Sequence, residues 1–190
     1  MRLVTRDSLV PVPWKNGGGV TRQIAIFPPG SDMNGFDWRI STAEVAQDGP
    51  FSRFEGIDRR LYILDGAGLE LRFGGGTRST LRPADHLDFA GEAEVHGALL
   101  RGPVTDLNIM VRRDRLRACF AQVAVDGAQI IDLPSATAAL FVLDGSILLG
   151  DGASLTANRH DTVLFGASPP ARIDARGTAT LLLAGFAARG

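Results

Sequence analysis

The chain has 190 residues, 45% of them hydrophobic and 22% charged, with a formal net charge of -1. That length suffices for one compact two-part domain or two small barrels. The near-neutral balance gives no electrostatic support for a nucleic-acid or membrane-surface partner. The one cysteine, Cys119, excludes an intrachain disulfide and fits a reducing compartment; between Ala118 and Phe120 it reads as a small core residue rather than a nucleophile. Met1 to Asp7 lacks the apolar core of a secretion signal, and no stretch approaches the ~20 apolar residues of a membrane span. The expected location is the cytoplasm.

In chain order, Pro11, Pro13 and the run Gly17-Gly18-Gly19 prevent a helix near the start. Val20 to Phe27 reads as a strand closed by Pro28-Pro29-Gly30, and Trp38 to Ala46 as another, ended by Asp48-Gly49-Pro50. Leu61 to Leu64 is a short β-rich run with Asp65-Gly66 as its turn, and Leu69 to Phe73 alternates until Gly74-Gly75-Gly76. Further runs are Ala98 to Arg101, Leu107 to Arg112, Leu140 to Leu143, Ile147 to Leu149, Thr162 to Phe165 and Thr180 to Phe186. Arg112, Arg113, Arg115 and Arg117, interrupted by Asp114, read as a solvated connector, with one short helix allowed near Asp114 to Phe120. The chain is expected to be almost entirely β.

An internal repeat sharpens this expectation. Leu61-Tyr62-Ile63-Leu64-Asp65-Gly66 matches Leu140-Phe141-Val142-Leu143-Asp144-Gly145 with four identities and two conservative exchanges. Further on, Leu81 and His86 share the spacing of Leu155 and His160. Two features in the same order suggest a barrel unit built twice, and a barrel removes the exposed edges that so many strands create.

The strand and Asp-Gly turn of this unit resemble the first half of a cupin motif. More specifically, the chain resembles the HutD/Ves family, associated with bacterial histidine utilisation. The residues carrying the likeness are Trp14-Lys15-Asn16-Gly17-Gly18-Gly19 with Thr21; Trp38-Arg39-Ile40-Ser41 with Ala43; Asp48-Gly49-Pro50-Phe51-Ser52 with Phe54; Gly56 with Asp58-Arg59; and Gly102-Pro103 with Asp106, Asn108 and Met110. The resemblance implies an all-β double-stranded β-helix occurring twice in one chain, a bicupin. Residues 1–113 would form an N-terminal barrel holding the ligand pocket and residues 114–190 a C-terminal barrel, packed as one unit. It also implies a small accessory or regulatory protein whose ligand is an intermediate of histidine breakdown, such as formiminoglutamate or urocanate. After Arg22, where such proteins often carry an acid, this chain has Gln23, which leaves its ligand preference open.

Most enzymatic cupins hold a metal with two His one residue apart, a Glu, and a third His, which need to converge at about 2.0–2.2 Å. Counted back from Gly66, those positions fall on Ser52, Phe54 and Arg59; counted back from Gly145, on Ile131, Leu133 and Ala138. Neither set can ligate a metal, and an arginine there attracts an anion instead. The three histidines, His86, His96 and His160, are not in ligand spacing and read as surface or turn residues, His86 and His160 in equivalent turns. The expectation is no metal and no cofactor. Phosphate-loop, dinucleotide and nucleophile-elbow signatures are missing too.

What remains is a polar set on barrel strands and one glycine-rich loop. Arg39 and Ser41 share a strand face, as do Asp106, Asn108 and Met110; the second face meets either a ligand or bulk water. Arg39 and Arg59 offer planar forks suited to a carboxylate, the alternative being structural pairs with Asp58, Asp48 or Glu44. In the loop, Trp14 supplies an apolar plate, Lys15 a cation and Asn16 a donor and acceptor, or the segment is simply a packing turn. The expected ligand-binding residues are Trp14, Lys15, Asn16, Gly17, Arg39, Ser41, Ser52, Phe54, Arg59 and Asn108, the expected partner a small anion, and the expected assembly a monomer or homodimer. Binding without catalysis is the favoured reading. The other is a metal-independent isomerase or hydrolase of a small carboxylic acid, with Lys15, Asp58 or Asp106 as acid or base.

Overall fold

A computed structural model describes residues 1–134, 136–150, 154–166 and 168–189. Its strands are β1 (Arg2–Val4), β2 (Pro11–Pro13), β3 (Gly19–Phe27), β4 (Trp38–Val45), β5 (Gly49–Pro50), β6 (Ile57–Asp65), β7 (Leu69–Phe73), β8 (Arg78–Leu81), β9 (His86–Ala90), β10 (Val95–Leu99), β11 (Val104–Arg112), β12 (Leu116–Asp132), β13 (Thr137–Leu149), β14 (Leu155–Asn158), β15 (Thr162–Leu164) and β16 (Arg172–Ala188). Among the described residues the helical content is one 3-10 turn, Arg6–Ser8, and no helix is long and apolar enough to cross a membrane. The all-β expectation therefore holds.

The chain divides into two compact units, Val10–Leu116 and a second one made of Met1–Leu9 with Arg117–Gly190. The first residues thus join the C-terminal part rather than the N-terminal barrel, because β1 pairs antiparallel with β15, Leu3 opposite Val163.

In the Val10–Leu116 unit one sheet runs β2-β3-β4-β11-β6-β9 and another β5-β10-β7-β8. Leu61, Ile63, Leu69, Leu71, Leu81, Val95 and Val104 form a closed apolar cluster. Phe36, Ile57 and Met110 form a second one, with Ile26 and Phe54 against it. In the other unit the order is β1-β15-β13-β16-β12, with β14 on β13. Its interior is apolar, built by residues such as Leu140, Val142, Leu149, Val163, Leu181 and Leu183.

Each unit carries the repeat in the same structural setting. In β6 the register against β11 slips at Leu64, between the pairs Ile63–Asp106 and Asp65–Thr105. In β13 the register against β16 slips at Leu143, between Val142–Leu181 and Asp144–Thr180. The glycine after each bulge has positive φ, +101° at Gly66 and +82° at Gly145, and each lies against the backbone of the opposite strand. The second match needs correction. The equivalent turns are capped by Asp85, whose Oδ2 accepts from the Arg82 amide at 2.8 Å, and by Asp161, whose Oδ2 accepts from the Asn158 amide at 2.9 Å. The left-handed residue preceding each is Ala84 or His160, so His160 corresponds to Ala84 and not to His86. It is a buried turn residue, whereas His86 is exposed and stacks on Tyr62.

Three local expectations also change. No helix forms near Asp114, since β12 begins at Leu116. Cys119 is exposed rather than in a core. The arginine stretch is anchored: Arg112 donates to the carbonyls of Phe36 (3.0 Å) and Asn34 (2.7 Å), Arg113 pairs with Glu92 (2.5 Å) and Asp58 (2.9 Å), and Arg115 with Asp37 (2.6 Å).

Candidate functional site

Alternation along four strands builds one wall of a cavity of about 860 Å³ inside the Val10–Leu116 unit. Strand β3 contributes Thr21 and Gln23, β4 Arg39, Ser41, Ala43 and Val45, β11 Asp106, Asn108 and Met110, and β6 Arg59. The register places Gln23 beside Ser41, Ser41 beside Asn108, and Asn108 beside Leu61, so the polar groups form a row across the sheet.

Arg39 and Arg59 are both buried in this wall, and no acid lies within ion-pairing distance of either among the described residues. The three acids proposed as structural partners are engaged or turned elsewhere: Asp58 pairs with Arg113, Asp48 accepts from the Leu99 amide at 2.8 Å, and Glu44 is exposed. Neutral groups hold the guanidiniums instead. Arg39 donates through Nε to Gln23 Oε1 and through Nη1 to Ser41 Oγ, both at 3.0 Å. Arg59 donates through Nη2 to Asn108 Oδ1 (2.6 Å) and through Nη1 to the Ser52 carbonyl (3.2 Å). Its guanidinium carbon also lies 5.4, 5.7 and 5.0 Å from the ring centres of Phe51, Phe54 and Phe89, within cation–π range.

Asp106 is the acid of the inner wall, 1% exposed. Its Oδ1 accepts from Asn108 Nδ2 at 2.7 Å, while Oδ2 is buried without a hydrogen-bond partner. Burial pushes its carboxyl up to about 7, against the opposing pull of Arg59, Asn108 and the Ala43 amide. Burial likewise lowers Arg59 to about 10, with Asp106 raising it and Arg39 lowering it further; it stays cationic at neutral pH. Burial lowers Arg39 as well. The inner wall therefore carries two cations against one acid that is divided between its two forms near neutrality.

The glycine-rich loop between β2 and β3 borders the same cavity. Trp14 donates through Nε1 to Thr21 Oγ1 at 2.7 Å, and Asn16 Oδ1 accepts from the Gly18 amide at 3.1 Å. Of the ten residues expected at the site, Trp14, Lys15, Asn16, Arg39, Ser41, Ser52, Phe54, Arg59 and Asn108 line the cavity. Gly17 does not: it occupies the exposed turn, its amide bonded to the Trp14 carbonyl at 3.0 Å. Asp58, one of the candidate acids, also lies outside. The sequence reading passed over Met33, Val45, Gln47 and Phe51, which the cavity adds. Val45 was within reach of the alternation that starts at Arg39 and Ser41, whereas Met33 and Gln47 sit in loops with no periodic signal.

Comparison with known proteins places this geometry. A cupin conserved-barrel protein from Leptotrichia buccalis aligns with a TM-score of 0.68 at 12% identity, covering 98% of this chain and 96% of that one. The fold is that of a cupin. The HutD family model matches residues 6–183, and the chain belongs to the HutD/Ves family. HutD from Pseudomonas fluorescens SBW25 aligns with a TM-score of 0.84 at 29% identity, over 100% of this chain and 99% of that one. Protein Ves of Citrobacter koseri is 38% identical over 139 residues, 73% of this chain and 70% of its own length. An uncharacterised 21.2 kDa protein encoded in the hutC 3' region of Pseudomonas putida is 36% identical over 118 residues, 62% of each chain.

The metal of enzymatic cupins does not fit this wall. At the positions counted for ligands stand Ser52, Phe54 and Arg59, with the Ser52 carbonyl already accepting from Arg59. Among the described residues no group of three or more His, Cys, Asp or Glu side chains is placed to hold an ion. The chemistry available is recognition of an anion by guanidiniums, together with a proton exchangeable at Asp106.

Proposed function

We propose that the protein binds a small carboxylate in the Val10–Leu116 cavity, between Arg39 and Arg59, as a sensor or regulatory accessory of histidine breakdown in the cytoplasm. The observation carrying this reading is a pair of buried guanidiniums in one cavity with no acid paired to either. Burying a cation costs several kcal/mol; Asp106 offsets that for Arg59 only in part, and a bound anion would reduce it further. Family membership and the hutC-region relative support the link to histidine breakdown and make formiminoglutamate and urocanate the first ligands to test. We read both units as cupin-like barrels, with the ligand cavity only in the first, and the protein as a monomer or homodimer.

Ligand that binds only the folded state raises the melting temperature. In a thermal-shift series with urocanate, formiminoglutamate, histidine and glutamate, at least one acid is expected to stabilise the protein saturably. Arg39→Ala should weaken that binding roughly tenfold to a hundredfold, the worth of a charge-assisted hydrogen bond. Gln23→Glu should weaken it too, because a carboxylate on Arg39 Nε would neutralise the cation the ligand needs. Flat melting curves with all four acids at millimolar concentration would defeat the proposal.

A second reading, a metal-independent enzyme for a small acid, is favoured by Asp106, a buried carboxyl brought near neutrality inside the cavity. It predicts conversion of one of these acids in chelator-treated buffer, followed by NMR; binding with no product excludes it.

A further inference from the structure

We infer that the cavity binds its anion together with a proton, and that Asp106 is the site of that proton. This rests on the carboxylate binding proposed above and adds a second occupant, at a group that no part of the anion touches.

Asp106 is separated both from the ligand space and from a counter-charge. Its Oδ2, like Arg59 Nε, is an orphan, buried without a hydrogen-bond partner and out of reach from the cavity. Its Oδ1 accepts from Asn108 Nδ2 at 2.7 Å, and Oδ1 of the same amide accepts from Arg59 Nη2 at 2.6 Å. Asn108, carrying both a donor and an acceptor, thus stands where an ion pair between Arg59 and Asp106 would otherwise form. A carboxylate held this way depends on the field of the nearby cations to stay ionised. A neutral hydroxyl left unpaired costs far less than an unpaired buried charge, and a proton is small enough to reach Oδ2 without opening the wall.

That field is what a bound anion removes. The charged groups on the strands around Asp106 are Arg59 from β6 and Arg39 from β4; β3 presents the neutral Thr21 and Gln23, and β11 itself Asn108 and Met110. Lys15 and Asp48 border the cavity from exposed loop positions. An anion between the guanidiniums cancels their pull on Asp106 and adds a second negative charge to the same buried wall. Two carboxylates sharing such a site do not both stay ionised. The ligand's carboxylate lies on the guanidiniums, so the proton goes to Asp106.

Burial already holds this carboxyl up at about 7, with Arg59 pulling it down, which sets the range of the coupling. Below about pH 6 the acid form prevails before the anion arrives, and little proton is taken up. Above about pH 7 the free protein has released the proton that the complex holds, so affinity falls as pH rises.

Calorimetric titration in two buffers of different ionisation enthalpy counts the protons taken up by the full-length protein. Urocanate, formiminoglutamate, histidine and glutamate are titrated into wild type and Asp106→Asn at about pH 6 and about pH 8, with circular dichroism confirming that the variant folds. The variant is also the blank for ligand groups that titrate themselves, such as an imidazole. At the higher pH, wild type is expected to take up about 0.5–1 proton more per bound acid than the variant. Between the two pH values its dissociation constant should rise about threefold to tenfold more than that of the variant.

Equal proton counts in the two proteins overturn the inference while leaving the carboxylate binding intact, and so does a parallel pH dependence. Binding of none of the four acids at either pH overturns both. Should the variant fail to fold or to bind, the proton count of wild type at the higher pH, where a free imidazole is already neutral, decides.

Discussion

Arg59 is a cation held by rings and amides. Three phenylalanines surround it, each contact worth about 0.5–2 kcal/mol, and Asn108 and the Ser52 carbonyl take two of its N–H groups. That surrounding fixes the fork, and Asp106 offsets the cost of burying its charge only in part. Asp106 bears the opposite stress. Its carboxyl, ordinarily at 3.8, is pushed up to about 7 by burial, so over that interval the folded protein keeps a proton that the unfolded chain has released. Stability must therefore fall as pH rises from about 4 through about 7. Asp106→Asn retains an acceptor for Asn108 and abolishes this titration. Urea unfolding of the two proteins across that range should show wild type losing stability relative to the variant as pH increases; a constant difference between them would mean that Asp106 does not titrate there.

At the scale of the strand, Asp-Gly turns were legible and long strands were not. β7 and nearly all of β3 and β4 coincide with the runs read from the sequence, because alternation and glycine or proline punctuation agree there. Arg39, Ser41 and Asn108 were legible as site residues for the same reason, since period two fixes which neighbours share a wall. β12 was missed because its inward face, with Ala121, Val123, Val125 and Ile131, is opposed by an outward face that also carries small apolar residues such as Ala124, and because Gly127 interrupts it, so the alternation is weak in the sequence and pairing with β16 decides its conformation. The aromatic cradle of Arg59 was only partly legible: Phe51 and Phe54 lie close in sequence, but Phe89 comes from β9, which no apolar run marked. Gly66 shows how local chemistry and pairing reinforce each other. Its φ is +101°, and a Cβ there would lie 2.6 Å from the Pro103 carbonyl oxygen and 2.9 Å from Val104 Cα. Gly66→Ala should cost about 1–3 kcal/mol or more in urea unfolding. Gly75→Ala, at an open position without positive φ, should stay within about 0.5 kcal/mol. Equal effects at the two sites would contradict the close approach at Gly66.

Across the whole molecule the same repeat is put to two uses. Asp106 and Asn108 pair with Ile63 and Leu61 in the first unit; in the second, Leu181 and Leu183 pair with Val142 and Leu140 at the matching places of the repeat. The first pair faces a cavity and the second closes an apolar core. A wall of polar groups around open space contributes little hydrophobic stabilisation, whereas the filled interior contributes roughly 25 cal/mol for each Å² of apolar surface removed from water. Stability and recognition should therefore separate by position. Leu183→Ala removes a side chain that is 2% exposed, so it should cost about 2–5 kcal/mol and leave the dissociation constant of a bound acid unchanged when measured well below the melting temperature. Asn108→Ala should do the reverse. It deletes the amide between Arg59 and Asp106 and lets those two charges pair, which relieves both orphaned atoms but uses the groups a ligand needs. Its melting temperature should stay near that of wild type while binding weakens by at least tenfold, the loss of one charge-assisted hydrogen bond. Parallel losses of stability and binding in both variants would mean that the cavity wall is part of the folding core and that the polar row is not reserved for a ligand.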